Sequence, residues 1–288
     1  MISTYTIIAG NMKCPNNCPV CISKMTPSHG IGYDDVKFNW PKFGKANQIA
    51  VMRGARNVLI TGKGEPTLYP DMITTILNDL PKGKFERIEL QTEGSNIAKN
   101  ISDDMLRRWY GWGLDLIAIS IYHYVDIHNS RGFGHHASSE PVYNLSALIT
   151  RLNALGFLVR ISCLLRLGYI DDSTTVRKLI AFCRGHDVFQ LTLRTADVPK
   201  NPLNNDVAHY IKVHKLEAHN MKAIKELITQ EGEFCYSLPH GVSVYEISDQ
   251  NVSITTGLGE PGDSRQLIFF PQGWLTMSWE TVQGSRII

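Results

Sequence analysis

The sequence predicts an α/β fold: a partial (β/α)6 TIM-like barrel with a C-terminal antiparallel β extension. Two observations predict it. Through residue 230, short apolar runs alternate strictly with amphipathic stretches at helical spacing, giving six βα units. Such alternation implies a parallel sheet joined by right-handed crossovers. Beyond that point the pattern changes to short β-like runs broken by Gly and Asp, which read as antiparallel hairpins. The chain has 288 residues, 43% of them hydrophobic, enough for a barrel core plus an extension. The expected division is a barrel over 1–230 and a β extension over 231–288 packed on it.

The elements follow in order. Residues 4–9 read as the first strand, and a long loop follows with Cys14, Cys18 and Cys21. A helix over about 45–54 leads to a strand over 57–61. Helical spacing over 71–80 starts after Pro70, a residue suited to a first helical turn. A strand over 87–91 precedes a helix over 102–112, with Ser102 as its cap and Asp103 and Asp104 in its first turn, where the helix dipole favours acids. Residues 114–121 form a strand whose Leu-Ile-Ala-Ile run implies burial on both faces. A helix over 142–155 stops at Gly156. Then come a strand over 158–165, a helix over 173–184, a strand over 189–193 and one long helix over 206–230. The extension carries β-like runs over 242–247, 252–256, 266–270 and 274–279, and the Gly-rich stretch 257–262 between them reads as a turn.

Composition bounds the class. The formal net charge of +2 argues neither for nor against nucleic acid, and no block of like charges reads as a nucleic-acid arm. The first eight residues lack a positive n-region and read as a strand rather than a secretory signal. No run approaches the ~18 apolar residues of a membrane helix. Six cysteines, three clustered and three scattered, are not a disulfide framework for a chain this long. A reducing cytoplasm is the expected compartment.

Two constellations carry chemistry. Cys14, Cys18 and Cys21 have C-x3-C-x2-C spacing just after the first strand. Three thiolates on a [4Fe–4S] cluster leave one iron open for a ligand. The competing reading is a zinc site, with His29 as the only nearby fourth ligand. The second constellation, Thr61-Gly62-Lys63-Gly64-Glu65-Pro66, ends the second strand. Glycines there let the backbone approach a ligand, and a carboxylate suits an ammonium group. An ordinary βα turn with a capping Glu is the alternative.

Together these residues resemble the radical S-adenosylmethionine superfamily, over about residues 4–193. The resemblance implies that Cys14, Cys18 and Cys21 hold a [4Fe–4S] cluster whose open iron takes the methionine amino and carboxylate groups of S-adenosylmethionine. It implies that Gly62, Gly64, Glu65 and Pro66 meet that amino group. By the same resemblance, Thr92 ends strand three where relatives contact the cofactor, Ser120 lies on strand four at a ribose- or carboxylate-contacting position, and Arg160 and Ser162 on strand five reach the cofactor. Residues 165–170, around Gly168, line the adenine.

The activity implied is reductive cleavage of S-adenosylmethionine to a 5′-deoxyadenosyl radical that abstracts hydrogen from a substrate. A flavodoxin- or ferredoxin-type protein is the implied one-electron reductant. Two departures stand out: Val20 precedes the third cysteine where relatives have an aromatic residue, and Glu93 stands where relatives often have Asn, with a role toward substrate open to it. The barrel is similar to the molybdenum-cofactor cyclase branch. Only Cys235 lies beyond it, however, so neither a second cluster nor that activity is expected. Cys163 and Cys183 read as buried thiols, with Cys163 pointing away from the barrel interior.

The expected substrate is a small molecule or nucleotide derivative. A ribosomal peptide or a nucleic-acid base remains an alternative, as does a non-catalytic protein that binds cluster and cofactor. The catalytic residue that follows hydrogen abstraction is not named by the sequence, although Cys235 has the right chemistry. Three further features keep two readings each. The His-rich loop over 122–136 is a substrate lid or a solvated loop. Arg194 holds a substrate carboxylate or phosphate, or pairs with Asp197. Phe269, Phe270, Trp274 and Trp279 form a hydrophobic seam, or a stacking platform for a base or peptide.

Overall fold

In the computed structural model, residues 2–34, 37–238, 242–255, 266–279 and 287 are described. The barrel strands are β1 (Thr4–Ile8), β2 (Asn57–Thr61), β3 (Arg87–Thr92), β4 (Leu114–Ile121), β5 (Leu158–Leu165) and β6 (Gln190–Thr195). The extension supplies β7 (Glu233–Ser237), β8 (Ser243–Ile247), β9 (Gln250–Thr255), β10 (Gln266–Phe270) and β11 (Trp274–Thr276). All belong to one sheet in the order β11-β10-β1-β2-β3-β4-β5-β6-β9-β8-β7. The six barrel strands pair in parallel with their sequence neighbours.

The helices are α1 (Trp40–Met52), α2 (Pro70–Asp79), α3 (Ser95–Asn100), α4 (Asp103–Gly111), α5 (Asp126–Gly132), α6 (Leu145–Ala154), α7 (Ser173–Gly185), α8 (Asn205–His214) and α9 (Ala218–Glu231). Side-chain caps set several starts. Ser102 accepts from the Met105 N–H at the start of α4, and Asp172 and Thr175 form a capping box on α7. Helix α1 begins five residues before its apolar spacing suggests, because Asn39 caps it and Pro41 occupies its first turn. Helix α6 begins at Leu145 rather than 142, since Asn144 accepts from the Ala147 N–H.

The single helix expected over 206–230 is two. Lys215 turns extended after α8, and Leu216 drops into the core between α8 and α9. A second departure concerns the extension. Its antiparallel pairing is present, within β7-β8-β9 and within β10-β11. It is nevertheless not a layer laid on the barrel. Strand β9 pairs in parallel with β6, and β10 pairs in parallel with β1. A six-stranded open sheet leaves unpaired N–H and C=O groups along β1 and β6, and the extension satisfies both edges.

Strand alternation sorts the side chains. On β5, Val159, Ile161, Cys163 and Leu165 are buried in the main core against the helices. Arg160, Ser162 and Leu164 have the opposite parity and face the barrel interior. Cys163 therefore points out of the interior, and Cys183 is buried in the same core. The run Leu116–Ile119 is buried throughout. Burying each aliphatic side chain in this core contributes about 1.5–3 kcal/mol. Phe269 and Phe270 are fully buried, as a seam requires.

Candidate functional site

The cysteine loop leaves the C-terminal end of β1 and is tied down at both ends. Asn11 is buried, and its Oδ1 accepts from the Lys13 N–H at 2.7 Å and from the Tyr69 hydroxyl. Its Nδ2 donates to the Tyr33 and Asp34 carbonyls at 2.9 and 2.8 Å. The segment after β2 runs against the loop as a short ladder: Gly64 N–H donates to the Asn11 carbonyl at 3.0 Å and Glu65 N–H to the Lys13 carbonyl at 2.9 Å. A Cβ on Gly64 would lie 2.0 Å from the Lys13 carbonyl oxygen, so only glycine fits. The Gly64 amide is thus spent on the loop, and the glycine serves close backbone approach rather than presenting that N–H to a ligand.

Further braces come from other strand ends. Asn17 N–H donates to the Phe133 carbonyl at 3.0 Å, and the His135 Nε2 lies 2.7 Å from the Asn16 Oδ1. The segment after β4 is therefore neither lid nor free loop at this point. It contains α5, and it buttresses the cysteines. Leu203 N–H donates to the Met25 carbonyl at 3.0 Å, and Val20, Met25, Tyr122, Phe133 and Ile211 share a small apolar cluster that seats α8 on the loop. Val20 packs there.

None of the three loop cysteines is in a disulfide; Cys14 is exposed, and Cys18 and Cys21 are partly buried. Partial desolvation of the sulfurs pushes the Cys14 thiol up to about 12 and the Cys18 thiol up to about 11, so binding iron must displace protons. Among the described residues no three His, Cys, Asp or Glu side chains converge on one metal ion. His29, the candidate fourth zinc ligand, is buried against Phe270 with ring centroids 4.1 Å apart, and its Nε2 lies 2.9 Å from the Trp279 carbonyl.

Beside the cysteines sit two buried carboxylates. Glu65 accepts four hydrogen bonds. Its Oε1 takes the Thr67 N–H at 3.0 Å, the Thr67 hydroxyl at 2.6 Å and the Thr92 hydroxyl at 2.7 Å; its Oε2 takes the Glu93 N–H at 3.0 Å. Burial, then the charge of Glu93, pushes its carboxyl up to about 7. Glu93 is also pushed up by burial, partly offset by the Ser95 hydroxyl and N–H, the Asn16 side-chain amide and the charge of Lys99. Its Oε1 accepts from the Ser95 hydroxyl, while its Oε2 is buried without a partner. Tyr143 fixes the turn by donating to the Glu93 carbonyl at 2.7 Å. Two adjacent buried acids with one orphaned oxygen form a cation acceptor, because an ammonium ion would relieve both repulsion and the unmet lone pairs. Their charges are felt at Cys14.

The other sequence-predicted residues divide between this pair and positions elsewhere on the sheet. Thr92 is turned toward Glu65 and orients it. Pro66 opens a short 3-10 turn over Pro66–Leu68, capped by Glu65. Gly62 is confined by the Gly64 and Ala9 carbonyls. Ser120 and Ser162 stand level with each other on β4 and β5. Arg160 is committed to an ion pair with Glu89 on β3. Arg194 makes no salt bridge among the described residues, so pairing with Asp197 is not its role there. Lys63 donates to the Thr26 hydroxyl at 2.6 Å and lies 5.6 Å from the centre of the Trp279 ring, joining the extension to the cysteine loop. Phe270 and Trp279 meet edge to face. Cys235 is exposed on β7, at the outer edge of the sheet. The turn expected over 257–262 lies outside the described residues.

Glu93 is the residue that sequence reasoning undervalued. The acid directly follows the Thr that ends β3, but its alliance with Glu65 depends on how the ends of β2 and β3 meet.

No protein-family model and no curated protein matches the chain. Solved structures do match its fold. Streptococcus suis SuiB bound to S-adenosylmethionine has TM-score 0.65 at 15% identity, over 99% of this chain and 63% of that one. The same protein bound to the precursor peptide SuiA gives 0.64 at 15%, over 96% and 60%. Native anSMEcpe with bound AdoMet gives 0.54 at 11%, over 99% and 77%. The chain thus spans about three-fifths of the SuiB chain. At these identities the likeness is one of fold. Among the described residues, no helix is long and apolar enough to cross a membrane.

Proposed function

We propose that this chain is a radical S-adenosylmethionine enzyme. The observation that carries the proposal is the placement of three free cysteines beside a buried Glu65–Glu93 pair that has an unmet acceptor oxygen. Neighbours of the same fold were captured with S-adenosylmethionine, which supports the same cofactor here. When bound, a [4Fe–4S] cluster and S-adenosylmethionine supply a one-electron cleavage that gives methionine and a 5′-deoxyadenosyl radical able to take hydrogen from a substrate.

This chain's residues do the rest. Cys14, Cys18 and Cys21 bind three irons and leave the fourth for the cofactor. Glu65 and the orphaned Glu93 oxygen accept its ammonium, and Thr92 and Thr67 hold Glu65 in place. Ser120 and Ser162 offer hydroxyls to its ribose or carboxylate. The walls of the barrel exclude water from the reacting centre. The electron comes from a flavodoxin- or ferredoxin-type protein. The substrate in this reading is a small molecule or nucleotide derivative. A peptide is the second reading, favoured by the capture of SuiB with its precursor peptide.

Anaerobic reconstitution with iron and sulfide, followed by S-adenosylmethionine and dithionite, tests the proposal. We expect about four irons per chain and release of 5′-deoxyadenosine. A chain that takes up zinc and no iron overturns the proposal. An intact cluster that binds S-adenosylmethionine but never cleaves it, even when candidate substrates are supplied, makes this a binding protein instead.

A further inference from the structure

Barrels of this type are usually filled by branched apolar side chains. One wall of this barrel is not. Strand register sets Ser120 on β4, Ser162 on β5, Thr192 on β6 and Ser253 on β9 at one level on four adjacent strands. All four have the parity opposite to the neighbours that pack into the main core. The Ser253 hydroxyl donates to that of Thr192 at 3.3 Å. Small hydroxyl side chains leave space that Leu or Ile would occupy.

A positive charge flanks this row on either side. Two residues toward the N-terminal end of β5, Arg160 is paired with Glu89, yet its Nε is buried without a partner. Two residues toward the mouth on β6, Arg194 stands level with Leu164 and Thr255. Among the described residues its guanidinium has no hydrogen-bond or ion-pair partner, and the charges of Arg160 and Glu89 bear on it. One carboxylate therefore serves two guanidiniums. A half-buried cation left over in this way is stabilised by an anion, and guanidinium is the side chain best shaped to take one.

We propose that Arg194, with the hydroxyls of Thr192 and Ser253 beneath it, is an anion-binding site that holds a carboxylate or phosphate of the substrate against the β6–β9 wall. The proposal rests on the barrel mouth being the reaction site, and it gives the substrate a chemical class: a small anion.

The test uses the reconstituted full chain, with inorganic phosphate and acetate as probes in calorimetric titrations with and without S-adenosylmethionine. The wild-type chain should bind at least one probe, and the preference between them tells phosphate from carboxylate. Arg194→Gln should weaken that binding about tenfold or more, and Arg194→Lys should restore part of it. The affinity for S-adenosylmethionine should stay within about threefold of wild type. Thr192→Val, which removes a hydroxyl at constant volume, should weaken the probe about threefold. It also carries the test should Arg194→Gln fail to fold.

Probe binding that is absent, or indifferent to both substitutions, overturns the site. Competition between probe and S-adenosylmethionine, with both lost together in Arg194→Gln, overturns it differently: the anion is then the cofactor's own carboxylate. Iron content of the same samples separates this from the proposed function. A cluster-free chain with Arg194-dependent anion binding sinks only the radical reading, and a cluster-loaded chain without such binding sinks only this one.

Discussion

The two sides of the barrel mouth differ in charge and in how completely they are wired. At the ends of β1, β2 and β3, two carboxylates stand beside the cysteine loop, and Glu65 is held by four donors. On the β5–β6–β9 side, two guanidiniums share one carboxylate, and Arg194 is held by none among the described residues. The first side is pre-organised for one ligand, with its donors and backbone contacts already made. The second offers charge and hydroxyls without committing them. The proposed function would use this asymmetry: rigidity where a fixed cofactor binds, unspent polar groups where substrate specificity is set.

The contrast between the two sides has five measurable consequences. Cys18→Ala should abolish cluster assembly and reduce 5′-deoxyadenosine to background; an S-adenosylmethionine-reactive [4Fe–4S] cluster in that variant would refute the ligand assignment. Glu65→Gln should weaken S-adenosylmethionine about 30- to 100-fold through loss of a charged hydrogen bond. Arg194→Gln should barely change it, so equal losses in the two variants would erase the distinction between the sides.

Gly64→Ala forces a Cβ onto the Lys13 carbonyl and should cost about 1–3 kcal/mol in thermal unfolding, with poorer iron uptake. Glu93→Gln removes one of two repelling acids. It should stabilise the ligand-free chain while weakening S-adenosylmethionine by less than Glu65→Gln does. Tighter cofactor binding in Glu93→Gln would instead assign Glu93 to the substrate.

The smallest effect is on pH. Glu65 is an acid raised from 4.5 to about 7 in the fold. Its contribution to stability is therefore complete below about pH 4.5, lost as pH rises toward 7, and level above that. In thermal unfolding of the ligand-free chain, Glu65→Gln should flatten the slope across that window, and a slope identical to wild type would show that Glu65 ionises normally.

The cysteine triplet and Glu65 were legible in the chain because their spacing is local. Three thiols within eight positions and an acid following two glycines need no tertiary partner to be noticed. Strand periodicity likewise marks β4 and β5 to the residue. Boundaries set by caps were less visible: α1 starts at Trp40 because of Asn39, and the break at Leu216 arises from a residue that prefers the core to a continued helix.

The alternation that makes a parallel sheet, the cysteine triplet and the acid that accompanies it can all be read from the chain alone. Tertiary structure alone decided that β9 and β10 seal opposite edges of the barrel, since β10 meets β1 across most of the chain's length and backbone pairing leaves no mark at such separation. It also decided that Glu93 joins Glu65, and that Arg160 is claimed by Glu89 while Arg194 stays available. Charge pairing and burial depend on which strands lie side by side and in what register, and that exists only once the sheet has formed.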